Sequence, residues 1–437
     1  MNNIIEAKRW GVYVHVPFCV SRCNYCDFNT YSGMERHADA YFATLAREIG
    51  GFFCAGVPEI DTIFFGGGTP SSVDASYITR ILSLIPRSTY AASHISGAAG
   101  CVDAIRDVGM PEITLEANPG TLTADKLAAY AKAGVNRLSV GLQSTHDAHL
   151  KMLGRIHTYD DFINNYNAAV AAGFKNISAD LIFGLPRQTM PEWKQTLDAV
   201  VSLGVRHLSC YSLSLEEGTA LHAAVRDGKL PAPDEELDRE MYYHAVSFLR
   251  TAGLYQYELS NFAEPGRECR HNLKYWTGAP YRGFGAGAHS YCNNVRFSNV
   301  RSINNYIDRI NSTHTPALEE STTDSISERP VQNGAKQIPS PDFSSFRTRP
   351  DMNAVDEYTN IEAAEKQNEF IILRLRLTRG FSDAEFQDAF GCGFLDKYKS
   401  EVADLASSGL LSVDSGCNIR LTTKGMDLAN QVFIKFI

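Results

Sequence analysis

The stretch HVPFCVSRCNYCDFNTYS, His15 to Ser32, decides the fold. It places Cys19, Cys23 and Cys26 within eight residues, in the spacing C-x-x-x-C-x-x-C. Zinc would need a fourth ligand at a standard distance, and none is evident. A thioredoxin-like pair would use Cys23 and Cys26 and leave Cys19 unexplained. Covalent haem attachment requires histidine where Asp27 stands. A fourth reading is an iron–sulfur cubane, in which three thiolates serve three irons and leave the fourth open to a substrate. The other seven cysteines, Cys54, Cys101, Cys210, Cys269, Cys292, Cys392 and Cys417, stand singly, as small apolar residues do.

Outward from the loop, short β runs alternate with amphipathic helical stretches from Trp10 to about Leu254. The β runs are VYVHV, DTIFFGG, EITLEAN, NRLSVGLQS, ISADLIFG and HLSCYSLSL. Between them lie helical stretches such as ERHADAYFATLAREI, YDDFINNYNAAVAA and MPEWKQTLDAVVSL. This rhythm predicts an α/β fold of βαβ units around a parallel sheet, and six units suit a partial (β/α)6 barrel better than a flat sheet. Residues 88–110 are rich in Ala, Gly and Ser and interrupt the rhythm as an insertion within a core of residues 1–311. Residues 312–358 are polar, rich in Ser, Thr and Pro and poor in aliphatics, which predicts a disordered linker. Residues 359–437 then give a helix, another helix, a short hairpin and a last helix, the outline of a small winged-helix-like domain.

Single polar residues mark the ends of successive β runs. Glycines 66–68 and Thr69 follow the second run, Glu116 ends the third, Gln143 the fourth and Asp180 the fifth, with Arg155 just beyond the fourth. Barrel enzymes put their chemistry on that rim. A carboxylate in an apolar strand is costly unless partnered, and a structural ion pair is its ordinary explanation.

The cysteine spacing, with Tyr25 before the last cysteine, resembles the radical S-adenosylmethionine (SAM) superfamily. The resemblance implies a [4Fe-4S] cluster on Cys19, Cys23 and Cys26, with SAM chelated by the open iron and cleaved by an electron to an adenosyl radical. It also implies SAM contacts from Tyr13, Tyr25, Gly67, Gly68, Thr69, Glu116, Gln143, Arg155 and Asp180. The phrases GGGTPS, EANPG, VGLQS, GRIH and DLIFGLP narrow it to the oxygen-independent coproporphyrinogen III oxidase family, over nearly the whole chain. The oxidases of that family carry a fourth cysteine two residues after the third, where this chain has Phe28. With RHNLKYWTG, Arg270 to Gly278, matching the motif HNxxYW, the chain is similar to the haem-chaperone branch instead. That branch implies haem as ligand, with His271, Asn272, Tyr275 and Trp276 linked to it, and a haem-accepting protein such as a respiratory enzyme as partner. It also implies an electron donor if SAM is cleaved. His289 in YRGFGAGAHSY is a rival to His271. The main alternative is oxidative decarboxylation of coproporphyrinogen III, and a third is a radical SAM enzyme on another substrate, with the HNxxYW motif only structural.

The net charge of −9 argues against a nucleic-acid partner, and no apolar run is long enough for a transmembrane segment or a signal peptide. A cytoplasmic location follows as the expectation, with the cysteines reduced. Limited proteolysis should therefore cut first within residues 312–358 and leave two stable fragments. Resistance of that segment to protease would mean that it is packed.

Overall fold

The computed structural model describes residues 9–54, 58–87, 110–312 and 352–437. Six parallel strands form the centre: β1 (Trp10–Val16), β2 (Ile60–Gly67), β3 (Glu112–Ala117), β4 (Arg137–Gln143), β5 (Ile177–Phe183) and β6 (His207–Ser212). They pair in chain order, β1 to β6, with no strand intervening. All six are the β runs expected. The strands alternate: Val12, Val14, Ile63, Phe65, Leu138 and Val140 pack in the core with the helices, while the other face carries buried polar side chains such as His15, Thr62, Arg137, Ser139 and Ser178. Helices Ala38–Cys54, Ala124–Ala133, Tyr159–Ala171, Met190–Ser202 and Glu235–Thr251 lie in the connections, with the shorter Ala75–Ser83 after β2. Helix Tyr159–Ala171 starts on a reciprocal cap between Thr158 and Asp161.

Further strands extend the arc on both sides. β7 (Tyr255–Gln256) and β8 (Asn261–Ala263) lie beyond β6. On the other side β9 (Tyr281–Phe284) runs parallel to β1. β10 (His289–Cys292), β11 (Val295–Asn299) and β12 (Val355–Asn360) continue it antiparallel. The resulting 12-stranded order ends on β12 and β7, so the (β/α)6 unit is an open arc. Asn293 and Asn294 join β10 to β11 with φ of 52° and 64°, the backbone of a tight two-residue hairpin.

The expected linker needs correction at its distal end. Residues 313–351, and residues 88–109 of the expected insertion, lie outside the described residues. Residues 352–358 are not linker: Met352, Ala354 and Val355 are buried, and Tyr358 pairs with Phe297 across β12 and β11. An edge strand needs only one face covered and takes its backbone hydrogen bonds from its neighbour, so a polar composition can still be strand. After β12, helix Ala363–Leu375 opens a unit with its own core of Phe370, Phe381, Phe386, Phe394 and Ile419, around a three-stranded sheet. The expected helices and hairpin are present, and strand Phe381–Ser382 with helices Asp383–Phe390 and Phe394–Lys397, which were not expected, stand after the first helix.

One carboxylate ties the extension to the barrel. Glu48, on helix Ala38–Cys54, accepts from Arg282 Nη2 at 3.2 Å, Gly285 N at 2.9 Å, Asn299 Nδ2 at 2.7 Å and Tyr306 OH at 2.6 Å. Both members of the Glu48–Arg282 pair are buried. Glu48→Ala should cost about 3–5 kcal/mol, since it leaves the guanidinium uncompensated. Glu48→Gln should cost less, and denaturant unfolding of both variants checks the order.

Candidate functional site

The cysteine loop leaves β1 and crosses the carboxyl ends of the strands. Cys19 is buried, and its Sγ lies 3.5 Å from Thr69 Oγ1. Cys23 accepts from Arg155 Nη1 at 3.3 Å. Cys26 Sγ faces Thr30 Oγ1 at 4.0 Å. Burial raises the thiol pKa of Cys19 and of Cys26. Among the described residues no group of three His, Cys, Asp or Glu side chains is placed to hold a single metal ion. A cubane asks for something different, one thiolate per iron on neighbouring corners, and three thiols on one short loop supply that donor set. Arg155 also donates to Asn118 Oδ1 at 2.6 Å and to Gly141 O, while its Nε is buried without a partner among the described residues.

Behind the loop the strand ends present the expected residues, in unequal roles. Glu116 accepts from Gly67 N at 3.1 Å and faces a cavity of about 580 Å³. Tyr13 and Gly67 line the same cavity, with Phe28, Tyr275, Tyr281, His289 and Arg301. Asp180 does not line it. Its carboxylate accepts from Ser139 Oγ at 3.2 Å and Ser209 Oγ at 2.8 Å inside the barrel. Gln143 is buried at a φ of 72°, where β4 breaks register with β5. Thr69 is taken up by Cys19 and by Asn118 Nδ2 at 2.8 Å. Tyr25 packs with Leu153, Ile182 and Leu185 beneath the loop.

The glycines answer mainly to protein neighbours. A Cβ on Gly68 would meet the Phe18 carbonyl at 2.7 Å, and one on Gly67, whose φ is 110°, would meet the His15 ring. Close packing of the cysteine loop against β2 therefore requires them.

The residues of HNxxYW fall on helix Arg270–Thr277. Glu112 caps that helix, accepting from the amides of Arg270 and His271 at 3.1 and 3.0 Å. His271 is fully buried, with Nδ1 bonded to Thr62 Oγ1 at 2.9 Å and Nε2 to Tyr275 OH at 3.0 Å. Burial pushes its pKa down to about 3, and neither nitrogen is free for an iron in this arrangement. Tyr275 lines the cavity, with its ring edge-on to Tyr281 at 4.8 Å. Trp276 turns the other way, under the Arg376 guanidinium at 5.1 Å, and Arg376 also covers Phe433 at 5.2 Å. Asn272 is half-buried on the same helix and does not line the cavity.

Several residues of the site carry no sequence signal of their own. Asn29, Asn118, Glu112, Ser139 and Ser209 matter through partners distant in the chain. Only the position of Asn29 just after the third cysteine, and of Asn118 in EANPG, could have drawn attention to them.

Comparison with known proteins gives the family and the fold. Residues 13–200 match the model of the radical SAM superfamily, and residues 361–428 that of the HemN C-terminal domain. A heme chaperone HemW of Bacillus subtilis is 35% identical over 98% of this chain and 99% of its own length. One of Lactococcus lactis is 31% identical over 98% and 97%. A mouse protein called radical S-adenosyl methionine domain-containing protein 1, mitochondrial, is 40% identical over 65% of this chain and 61% of its own. The Escherichia coli coproporphyrinogen III oxidase (HemN), a radical SAM enzyme, superposes with a TM-score of 0.74 at 21% identity, covering 98% of this chain and 90% of that one, and shares the fold. The cofactors of the superfamily are a [4Fe-4S] cluster and SAM. Among the described residues no helix is long and apolar enough to cross a membrane.

Burial, and then the nearby Asp180 charge, push Glu116 up to about 8 from an ordinary 4.5. The folded state thus holds a proton that the unfolded chain has released. Stability from this group is complete below pH 4.5 and is lost as the pH rises through about 8. In protein free of SAM, Glu116→Gln should flatten the fall in melting temperature over that window. An unchanged pH profile would place the titration elsewhere.

Proposed function

The chain belongs to the HemW family of the radical SAM superfamily, and on that footing we propose that it is a haem chaperone, which takes up haem and passes it to a haem-accepting protein. The observation that carries the proposal is the side chain at position 28. Phenylalanine stands where the oxidases of the wider family have their fourth cysteine, and it is 64% exposed on the cavity wall. An aromatic ring there offers a flat apolar face to a macrocycle and no thiolate.

Each residue then has a task. Cys19, Cys23 and Cys26 hold the cluster, and Arg155 donates to the Cys23 sulfur and holds that thiol in place. Glu116, with Tyr13 and Gly67, forms the wall that receives SAM; once ionised, its carboxylate can take a cationic group. Thr69, Gln143, Tyr25 and Asp180 keep that wall in shape from behind. When bound, the cluster supplies one-electron chemistry toward SAM, and an electron donor is then a partner. Helix Arg270–Thr277 presents Tyr275 to the cavity, and His271 fixes that tyrosine by its hydrogen bond. His271, Asn272 and Trp276 thus serve haem by positioning. The location consistent with this role is the cytoplasm.

Anaerobically reconstituted protein should carry about four irons per chain. Cys19→Ala, Cys23→Ala or Cys26→Ala should each abolish the cluster, and Cys54→Ala or Cys417→Ala should not. The same preparation should bind haem, load an apo-haem protein, and leave coproporphyrinogen III unconverted with SAM and reductant supplied. Steady production of protoporphyrinogen IX would overturn the chaperone reading in favour of the oxidase.

A further inference from the structure

The imidazole of HNxxYW has both nitrogens occupied inside the barrel, so the cavity must offer a tetrapyrrole iron some other ligand. Among the described residues lining it, the other imidazoles are His15 and His289. His15 is buried, with Nδ1 on Tyr13 OH at 3.1 Å and Nε2 on the Asn29 carbonyl at 2.9 Å. His289 differs from both. It is exposed at the start of β10, lines the cavity, and its ring has no hydrogen bond or ion pair among the described residues.

The wall that carries it is rigid relative to the cysteine loop. Asn29 Nδ2 donates to the Ala286 carbonyl at 3.1 Å and the Arg301 carbonyl at 3.0 Å, and Tyr31 OH to the Arg301 carbonyl at 3.1 Å. Gly287, with a φ of 75°, leaves room for that amide, since a Cβ there would strike it. His289 and Phe28 are therefore held on one cavity by direct bonds between their segments. Arg301 reaches the same cavity, exposed and with no hydrogen bond or ion pair from its guanidinium among the described residues. Asp356, also on the rim, pairs with Arg309 at 2.8 Å; Asp27 and Glu357 line the cavity too, and Arg301 is the cationic side chain among the described lining residues.

We propose that His289 is the axial ligand of the haem iron, with Phe28 against the macrocycle and the Arg301 guanidinium on a propionate. The proposal rests on the haem-chaperone reading above. It uses a neutral imidazole lone pair, the commonest protein ligand for such an iron. Arginine is suited to carboxylate recognition because its planar fork can bind both oxygens.

The test is titration of reconstituted full-length protein with haemin, read by Soret absorption and low-temperature electron paramagnetic resonance of the ferric haem. His289→Gly should weaken binding about tenfold or more and lose the histidine-ligated spectrum, and added imidazole should restore that spectrum. Arg301→Gln should weaken binding while leaving the spectrum as in the wild type. A histidine-ligated spectrum that persists in His289→Gly overturns the proposal, whatever the affinity, and leaves the chaperone reading standing. A wild-type protein that binds no haem at all removes the chaperone reading itself.

Discussion

A carboxyl group taken out of water must find hydrogen-bond partners whether or not it keeps its charge, and the site is built around four that have done so. Glu48 gathers the extension strands, Glu112 caps the HNxxYW helix, Glu116 holds the second glycine of β2, and Asp180 takes two serines inside the arc. Hydrogen bonds to charged groups contribute roughly 1.5–3 kcal/mol each, against a desolvation cost of several kcal/mol per ion. Such groups are therefore poor as net sources of stability and strong as determinants of geometry. Each fixes a segment to within hydrogen-bond distance of a point on the barrel, and three of the four fix segments that border the cavity.

The cavity therefore has walls of different character. The strand-end wall, with Glu116, Tyr13 and Gly67, is continuous with the barrel core. The opposite wall belongs to the β9–β12 extension, which holds Tyr281, His289 and Arg301 and is joined to the barrel through Glu48 and Asn29. The first presents a carboxyl and a phenol, and the second a phenol, an imidazole and a guanidinium. The first stands on the strand–helix core, while the second depends on hairpins that strand–helix alternation does not require.

The arc was legible in the sequence because its strands are short runs with an apolar residue at every second position and its helices are amphipathic, two periods that do not imitate each other. The cysteine loop was legible because spacing is itself a constraint. The extension was harder. GFGAGAHSY reads as a glycine loop, yet Cys292 and Val295 pair across Asn293 and Asn294, a dipeptide suited to a hairpin with both φ angles positive. The segment VDEYTN at β12 has too little apolar surface to announce itself, and its strand character comes from β11. For the site, residue identities were readable and their partners were not. Glu116 and Asp180 look equivalent along the chain, but only the tertiary fold aims one at a cavity and the other at Ser139 and Ser209. His271 stood out through its motif, and burial against Thr62 and Tyr275 gives it a positioning role that spacing could not reveal.

Helix Arg270–Thr277 is only eight residues long, and it touches the barrel core with one end of its motif and the C-terminal unit with the other. His271 and Tyr275, four apart, share a face; Trp276, one further, lies a hundred degrees away around the axis. Two turns of helix have almost no internal give. The spacing H-N-x-x-Y-W is thus the dimension of a strut, in which the outward indole bears on Arg376 and Phe433 while the inward phenol borders the ligand chamber. A load applied to the C-terminal unit, as when another protein leans on it, has a short and stiff route to the chamber wall.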